Sequence, residues 1–224
     1  MTDAQTLYHR VGGFWGLGGG GRSCPLLCRD GRRPFRLERQ TVTVLTTPRL
    51  TLSPVSVADF DDLKRLWGDE DFTRYVMGRS LGAEEVWFRL LRDIGHWTAL
   101  GHGNWSMRLT ETGAYVGTVG VLHYRRDLDP PFDAPELGWG IGGEHQGKGL
   151  AREGLDAALA WADARYPRTV CMIGPENAAS FKLAERVGYS VYLEGRYKDA
   201  PITLLERFAP GRQGSAAPAA YAGH

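Results

Sequence analysis

A glycine-rich run from Gly142 to Ala151, GGEHQGKGLA, contains the residue types and spacing that most clearly suggest chemistry. Gly142, Gly147 and Lys148 are spaced as in a nucleotide-binding P-loop, where the next residue is a Ser or Thr whose hydroxyl binds Mg²⁺. That position is Gly149 in this chain. The hydroxyl needed for a magnesium nucleotide is therefore missing, and the run predicts an anion-binding loop of another kind.

The neighbouring patterns place this run between a strand and a helix. The strand is PELGWGIG, and the helix has an apolar face at Ala151, Leu155, Ala158, Leu159 and Ala162. The first N–H groups of a helix lack intrahelical partners and lie at the positive end of its dipole, so they attract phosphate. A diphosphate held in this way needs neither a lysine nor a metal ion. The alternative is a glycine-rich turn that only begins the helix.

The strand before the loop has one face made of a carboxylate and two glycines. Glu136, Gly138 and Gly140 alternate onto this face, and larger apolar residues take the other. Glycine inside a strand often marks the close approach of a ligand, which predicts open space beside the carboxylate. A bulge, or a helix crowded above the sheet, is the alternative.

The composition excludes several classes of function. The 224 residues include 27 Lys and Arg against 26 Asp and Glu, and the net charge of +1 gives no basic surface for nucleic acid or membranes. No apolar run is long enough for a membrane span. Cys24 and Cys28 form a CxxxC pair without a second pair at zinc-site spacing, so we expect no metal site. The N-terminus has no signal-peptide pattern, and we expect a cytoplasmic protein.

The periodicities predict one α+β domain over residues 42–208. Ser56 and Asp59 resemble a capping box that begins a helix, and the second half reads as β-α-β-α-β-β. We expect a mixed, mostly antiparallel central sheet of about six or seven strands flanked by helices. Residues 1–41 are predicted to be a flexible extension and residues 209–224 a disordered tail, because neither has a sustained period.

The signature of the glycine-rich loop and four further short motifs give the chain a family resemblance. Gln146–Ala151 matches [QR]-x-x-G-x-[GA], the pyrophosphate-binding signature of the GCN5-related N-acetyltransferases. Thr47–Leu52 resembles the opening strand of that family, especially in the branch with ribosomal-protein N-terminal acetyltransferases. Glu136–Trp139, Asn177–Ser180 and Ala184–Tyr189 resemble further motifs of that branch. The resemblance covers about residues 45–208 and implies the acyl-CoA N-acyltransferase fold.

The resemblance also implies a donor, an acceptor and a set of binding residues. The donor is acetyl-CoA, and the acetyl group passes directly to an amine, on a peptide N-terminus or a small molecule. The implied acceptor contacts are the helices within residues 56–100 and the loop 125–135, in a monomer or homodimer. The implied donor contacts are Trp139, Gly140, Ile141, Gln146, Gly147, Lys148, Gly149, Leu150, Ala151, Asn177 and Ser180. A homologue that binds CoA as a sensor without turnover is the alternative function.

The transfer needs one group that removes a proton from the amine. Amines have a pKa of roughly 8 at a chain terminus and roughly 10 on lysine, so they arrive largely protonated. Glu136 on the open strand face is the candidate base, acting through water. The alternative for Glu136 is a structural salt bridge. Asp133 and Glu144 are weaker candidates, and His96 is expected to be a half-exposed helix residue.

A second group should protonate the departing thiolate. Many members of the family use a tyrosine in the helix after the strand, but no tyrosine lies between Asn177 and Val187. Ser180 is therefore the candidate. The alternative is that Ser180 only hydrogen-bonds at the helix start, near an N-cap at Asn177. Tyr189 is expected to pack between helix and sheet.

Overall fold

The computed structural model describes residues 43–212. The extension predicted for residues 1–41, the pair Cys24 and Cys28, and residues 213–224 of the predicted tail lie outside the described residues. Ala209, at the start of that tail, is buried and donates its N–H to the carbonyl of Pro167 at 2.9 Å.

Eight strands and five α-helices make up this part of the chain. The N-terminal elements are β1 (Leu45–Thr46), β2 (Leu50–Pro54), α1 (Phe60–Gly68), α2 (Glu70–Thr73), α3 (Ala83–Leu100), β3 (Asn104–Leu109) and β4 (Tyr115–Leu122). The C-terminal elements are β5 (Glu136–Ile141), α4 (Leu150–Asp163), β6 (Arg168–Ile173), α5 (Ala178–Arg186), β7 (Ser190–Tyr197) and β8 (Ala200–Phe208).

The strands form one sheet in the order β1-β2-β3-β4-β5-β6-β8-β7. Neighbouring strands are antiparallel except for β5 and β6, which are parallel. The mixed, mostly antiparallel α+β prediction is confirmed. The described sheet has eight strands because the two-residue β1 pairs with β2 and the C-terminal hairpin supplies both β7 and β8.

The first helical region begins at the predicted capping box. The backbone N–H of Ser56 donates to Asp59 Oδ2 at 2.8 Å, and a short 3₁₀ turn at Val57–Asp59 leads into α1. This bond satisfies a donor that the helix start would otherwise leave unpaired.

An apolar layer lies between α4 and the sheet. Gly154 in α4 approaches β3 so closely that a Cβ there would lie 2.3 Å from Met107 Sδ. The rings of Trp105 and Trp161 pack edge to face with centroids 5.5 Å apart. Burial of each large apolar side chain contributes about 1.5–3 kcal/mol, so this layer fixes α4 firmly against the strands before it.

Within residues 43–212 no helix is both long enough and apolar enough to cross a membrane.

Candidate active site

The two parallel strands β5 and β6 separate soon after they meet. Their one register pair in the described sheet is Glu136 with Val170, next to a bond from the Val170 N–H to the carbonyl of Pro135 at 2.9 Å. Towards Ile141 and Ile173 the strands share no further register pair. A wedge-shaped gap therefore opens in the middle of the sheet, narrow at Glu136 and wide at the glycine-rich loop.

The backbone of β5 presents hydrogen-bonding groups to this gap. The carbonyl of Pro135 faces β6, whereas the Gly142 N–H bonds to Val116 of β4 at 3.0 Å. Because backbone groups alternate in direction along a strand, Trp139 and Ile141 direct theirs into the gap. An extended ligand lying there could pair with them as an added strand would. The side chain of Gln146 reaches the Ile141 carbonyl at 3.4 Å, at the wide end.

The face formed by the glycines of β5 is only partly open. A Cβ at Gly138 would meet just one atom within 4 Å, Leu122 Cδ1 at 3.4 Å. At Gly140 a Cβ would lie 2.7 Å from Phe72 Cζ, so the ring from α2 already occupies that space. The two explanations offered by the sequence thus apply to different residues: Gly138 leaves room, and Gly140 accommodates a crowded helix.

The glycine-rich loop ends in an unpaired helix start. Gly147 and Gly149 have φ values of +72° and +77°, in the left-handed region that favours glycine. The Gly149 carbonyl accepts the first helical bond from Glu153 at 3.1 Å. The N–H groups of the first residues of α4, from Leu150 onward, therefore have no intrahelical partner. Lys148 is exposed, so an anion at this helix start would meet backbone groups at the positive end of the dipole.

A polar cluster fixes the start of α4 to the corner before β2. Glu153 accepts from the hydroxyl of Thr47 at 2.6 Å and from the N–H and Nε of Arg49 at 2.8 and 2.7 Å. Arg49 Nη1 also donates to the Lys148 carbonyl at 2.9 Å. Burial would raise the pKa of Glu153, but these hydrogen bonds outweigh it and lower the pKa below its usual value. These contacts with Thr47 and Arg49, which lie outside the loop, help to fix its conformation.

Glu136, the candidate base, lies at the narrow end of the gap in a two-point ion pair. Arg126 donates to its two carboxylate oxygens at 2.6 and 2.7 Å, and only 8% of the Glu136 side chain is exposed. Burial lowers the pKa of Arg126, but the hydrogen bonds and charge of Glu136, with Tyr197, outweigh it and raise the pKa above its ordinary value. The salt bridge considered from the sequence is thus present.

The weaker carboxylate candidates are placed less favourably. Asp133 is half exposed and pairs with Arg168, and Glu144 is 72% exposed with His145 Nε2 at 3.4 Å. His96 is buried rather than half exposed. Its Nδ1 lies 2.6 Å from the His102 carbonyl, and its Nε2 accepts the His123 N–H at 2.9 Å. Both ring nitrogens of His96 are therefore bound to backbone.

At the start of α5 the predicted cap is confirmed. The side-chain oxygen of Asn177 accepts the N–H of Ser180 at 3.1 Å. Within residues 43–212 the half-buried hydroxyl of Ser180 makes no hydrogen bond, so it can serve a ligand. Tyr189 is in the core as expected, with its hydroxyl 2.6 Å from Thr169 Oγ1, and burial raises its pKa above the usual range.

The family of the chain follows from comparison with known proteins. Residues 49–190 match the sequence model of the acetyltransferase (GNAT) domain. The chain belongs to the GNAT acetyltransferase family. By its relatives and its fold, this GNAT protein is an acetyl-CoA-dependent N-acetyltransferase.

Individual relatives of this GNAT chain agree with that assignment. A GNAT-family acetyltransferase structure from Bordetella pertussis is 34% identical, with a TM-score of 0.66 over 74% of this chain and 99% of that one. The uncharacterized N-acetyltransferase p20 of Bacillus licheniformis is 27% identical over 69% of this chain and 85% of its own length. A ribosomal L7/L12 alpha-N-protein acetyltransferase in complex with coenzyme A shares the fold, at 14% identity and a TM-score of 0.61 over 74% and 98% of the two chains.

Sequence reasoning missed the partners that hold the GNAT site together. Arg126 belongs to a loop with several other charged residues, and nothing in its spacing singles it out as the partner of Glu136. The contact between Arg49 and Glu153 joins residues 104 positions apart.

Among residues 43–212 no group of three or more His, Cys, Asp or Glu side chains is placed to hold a metal ion.

Proposed function

We propose that this protein transfers the acetyl group of acetyl-CoA to a primary amine, on a peptide N-terminus or a small molecule, by direct attack in a ternary complex. One observation carries the proposal: the gap between β5 and β6 joins a backbone anion site at its wide end to a buried carboxylate at its narrow end. The ends of β5 are about 17 Å apart, since each residue rises about 3.4 Å. A long extended donor suits such a gap.

The donor would be held mainly by backbone groups. Its diphosphate would accept hydrogen bonds from the N–H groups of the loop and helix start, Gly147 to Ala151, beside Gln146, whose own N–H donates to the Gly143 carbonyl at 3.2 Å. Its pantetheine arm would pair with Trp139 and Ile141 beside Gly140, directing the thioester towards Glu136. The amide of Asn177 retains its NH₂ group for the same arm, because only its oxygen caps α5.

Glu136 would receive the proton of the attacking amine through a water molecule. A carboxylate has about four acceptor sites, and the pair with Arg126 uses two of them, so Glu136 can still accept from water. The amine nitrogen forms a bond to the thioester carbon, the carbon–sulfur bond breaks, and the sulfur leaves as a thiol. The hydroxyl of Ser180 would donate the proton that makes the leaving sulfur a thiol and would regain one from water, to which Glu136 passes the proton of the amine.

Glu136→Gln and Ser180→Ala test these roles. We expect each to reduce thiol release from acetyl-CoA by about a hundredfold or more, because proton transfer contributes this much, while acetyl-CoA affinity changes little. Ser180→Ala keeps the cap on α5, since its donor is backbone. Asp163→Asn is the control, because it breaks a second carboxylate–arginine pair, with Arg207, outside the gap. Full activity in both variants would remove the site assignment.

A second candidate function is acetyl-CoA binding without turnover. The observation that favours it is the two-point pair with Arg126, which holds Glu136 as a structural carboxylate would be held. A binding protein would retain micromolar or tighter acetyl-CoA affinity and release no thiol with any amine in a broad panel. Thiol release that depends on both amine and enzyme would exclude it.

A further inference from the structure

Arg89 in α3 is a half-buried cation without an anionic partner. Within residues 43–212 it makes no hydrogen bond and no ion pair, and its guanidinium instead stacks on the ring of Trp67 at 3.8 Å. Buried charges in proteins are usually paired. An unpaired guanidinium in this position therefore needs an explanation.

The two carboxylates one helical turn from Arg89 are engaged elsewhere. Glu85 accepts from Arg79 at 2.9 and 2.5 Å. Asp93 accepts from Arg92 at 2.8 Å, from the Tyr124 hydroxyl at 2.7 Å and from Asn104 at 2.9 Å. Residues four apart on a helix commonly form ion pairs. Neither Glu85 nor Asp93 is available to pair with Arg89.

Contacts lead from Arg89 to both ends of β5. On one side Trp67 packs edge to face with Phe72, at 5.1 Å between centroids, and Phe72 covers Gly140. On the other side Arg126, the partner of Glu136, lies over the ring of Tyr124 at 5.3 Å, and the Tyr124 hydroxyl donates to Asp93, one helical turn from Arg89. Arg89 is therefore linked through its neighbours to Gly140 and to Glu136, which share the face of β5 on which Gly138 leaves open space.

The charges around this face leave one positive charge in excess. The charges of Arg92 and Arg126 both act on Arg89, and these two arginines pair with Asp93 and Glu136. Three cations against two anions leave +1, carried by the unpaired Arg89. Burial, with the charge of Arg92, lowers the pKa of Arg89 to about 10, which agrees with a guanidinium that lacks a compensating anion.

We propose that Arg89 binds a carboxylate on the acceptor, so that the preferred substrates are primary amines that also carry a carboxylate. This inference rests on the proposed acetyl transfer. A guanidinium binds carboxylate and phosphate alike through two parallel hydrogen bonds, but a single excess charge matches a monoanion better than a phosphate dianion. The amine end of such an acceptor lies towards Glu136, and its carboxylate lies towards Arg89 and Trp67.

The test compares acceptors that differ only in this charge. Aminoalkanoic acids with one to five methylenes are paired with their amides, and short peptides with Asp or Glu in the first two positions are paired with Asn or Gln versions. All are compared at equal concentrations of free amine. We expect kcat/KM of the wild type to favour the acids at least tenfold in one of the two sets. The set that shows this preference identifies the acceptor as a free amino acid or a peptide.

Arg89→Gln should remove this preference by raising KM for the acids at least tenfold, with KM for acetyl-CoA and for the amides unchanged. Arg89→Lys should keep part of the preference, because it retains the charge without the two-point geometry. Arg65→Gln, which removes an exposed arginine from α1, should leave the preference intact. A purely structural role of Arg89 would lower thermal stability and acetylation of acids and amides equally.

Binding without turnover separates this inference from the proposed function. In the presence of CoA, 4-acetamidobutanoate should bind the wild type at least tenfold more tightly than 4-acetamidobutanamide, and Arg89→Gln should bind both equally. Absence of thiol release with every amine would refute the proposed function while this measurement still tests Arg89. Equal binding of acid and amide by the wild type, or a preference that survives in Arg89→Gln, would overturn the inference.

Discussion

Gly149 shows how one residue sets the conformation of the glycine-rich loop. Its φ of +77° disfavours any other residue, and a Cβ would lie 3.4 Å from Arg49 Nη2. We expect Gly149→Ala to cost about 1–2 kcal/mol of stability, measured by urea unfolding, and to weaken acetyl-CoA binding at least tenfold, measured by calorimetry.

A glycine elsewhere separates strain from binding in this prediction. Gly113, in the turn between β3 and β4, has a φ of +73° with no atom within 4 Å of a Cβ. Gly113→Ala should lose a similar amount of stability and bind acetyl-CoA as the wild type does. Equal affinity losses in the two variants would mean that Gly149 acts through folding alone.

Arg126 and Glu136 form a buried ion pair at the narrow end of the gap. Both side chains are largely buried, so removing one leaves an uncompensated charge. Arg126→Gln should cost about 3–5 kcal/mol by urea unfolding. The double variant with Glu136→Gln should be more stable than Arg126→Gln alone, because the stranded carboxylate is gone. Additive losses would show that the two residues are not coupled.

At the scale of elements, the contact between β2 and α4 determines how the loop is presented. Glu153 joins Thr47 and Arg49 to the first turn of the helix, and its pKa is lowered by their hydrogen bonds. A carboxyl with a lowered folded-state pKa stabilises the fold above its ordinary value of about 4.3 and loses that contribution as the pH falls through the folded-state pKa.

Glu153→Gln should therefore destabilise the protein by about 1 kcal/mol at pH 7 and by much less at pH 3, measured as unfolding free energy at both values. The same variant should weaken acetyl-CoA binding, because Arg49 also holds the Lys148 carbonyl. Asp156→Asn, which breaks an exposed pair with Arg152 one turn further along α4, is the control. A loss that is independent of pH would show that the Glu153 charge is not what stabilises this junction.

The elements could be predicted where the signal is local. The capping box at Ser56, the N-cap at Asn177 and the helix start after Gly149 are encoded by residues within a few positions of one another, and the structure has all three. Other features could not be predicted in this way. The separation of β5 from β6 and the pairing of Arg49 with Glu153 depend on residues distant in the chain. Arg126, the partner of Glu136, lies in a loop with several other charged residues. Periodicity carries no information about such pairings.

At the scale of the whole molecule, a buried histidine cluster should govern stability in mild acid. His102 is buried at the ends of α3, β4 and α4, with His96, His123, Trp161 and Tyr166 rings within 6.2 Å of its own, between centroids. Its Nδ1 lies 2.9 Å from the Val121 carbonyl. This end of the molecule lies away from the glycine-rich loop and its anion site.

Burial lowers the pKa of His102 to about 4, and burial likewise lowers the pKa of His123. An unfolded histidine takes up a proton below about pH 6.5, whereas His102 stays neutral in the folded protein until about pH 4. The unfolded state therefore binds more protons in this window, and stability falls as the pH falls, by up to about 1.4 kcal/mol per pH unit for one fully shifted group.

We expect the unfolding free energy of the wild type to decrease between pH 7 and pH 5, a range in which most carboxylates do not titrate. His102→Phe should be less stable at pH 7, because the Val121 carbonyl loses its partner, but its stability should depend less on pH. His145→Gln, in the loop outside the cluster, should keep the wild-type slope. Urea unfolding at three pH values between 5 and 7 measures the dependence of the unfolding free energy on pH. If this dependence is unchanged in His102→Phe, a group other than His102 causes the acid sensitivity.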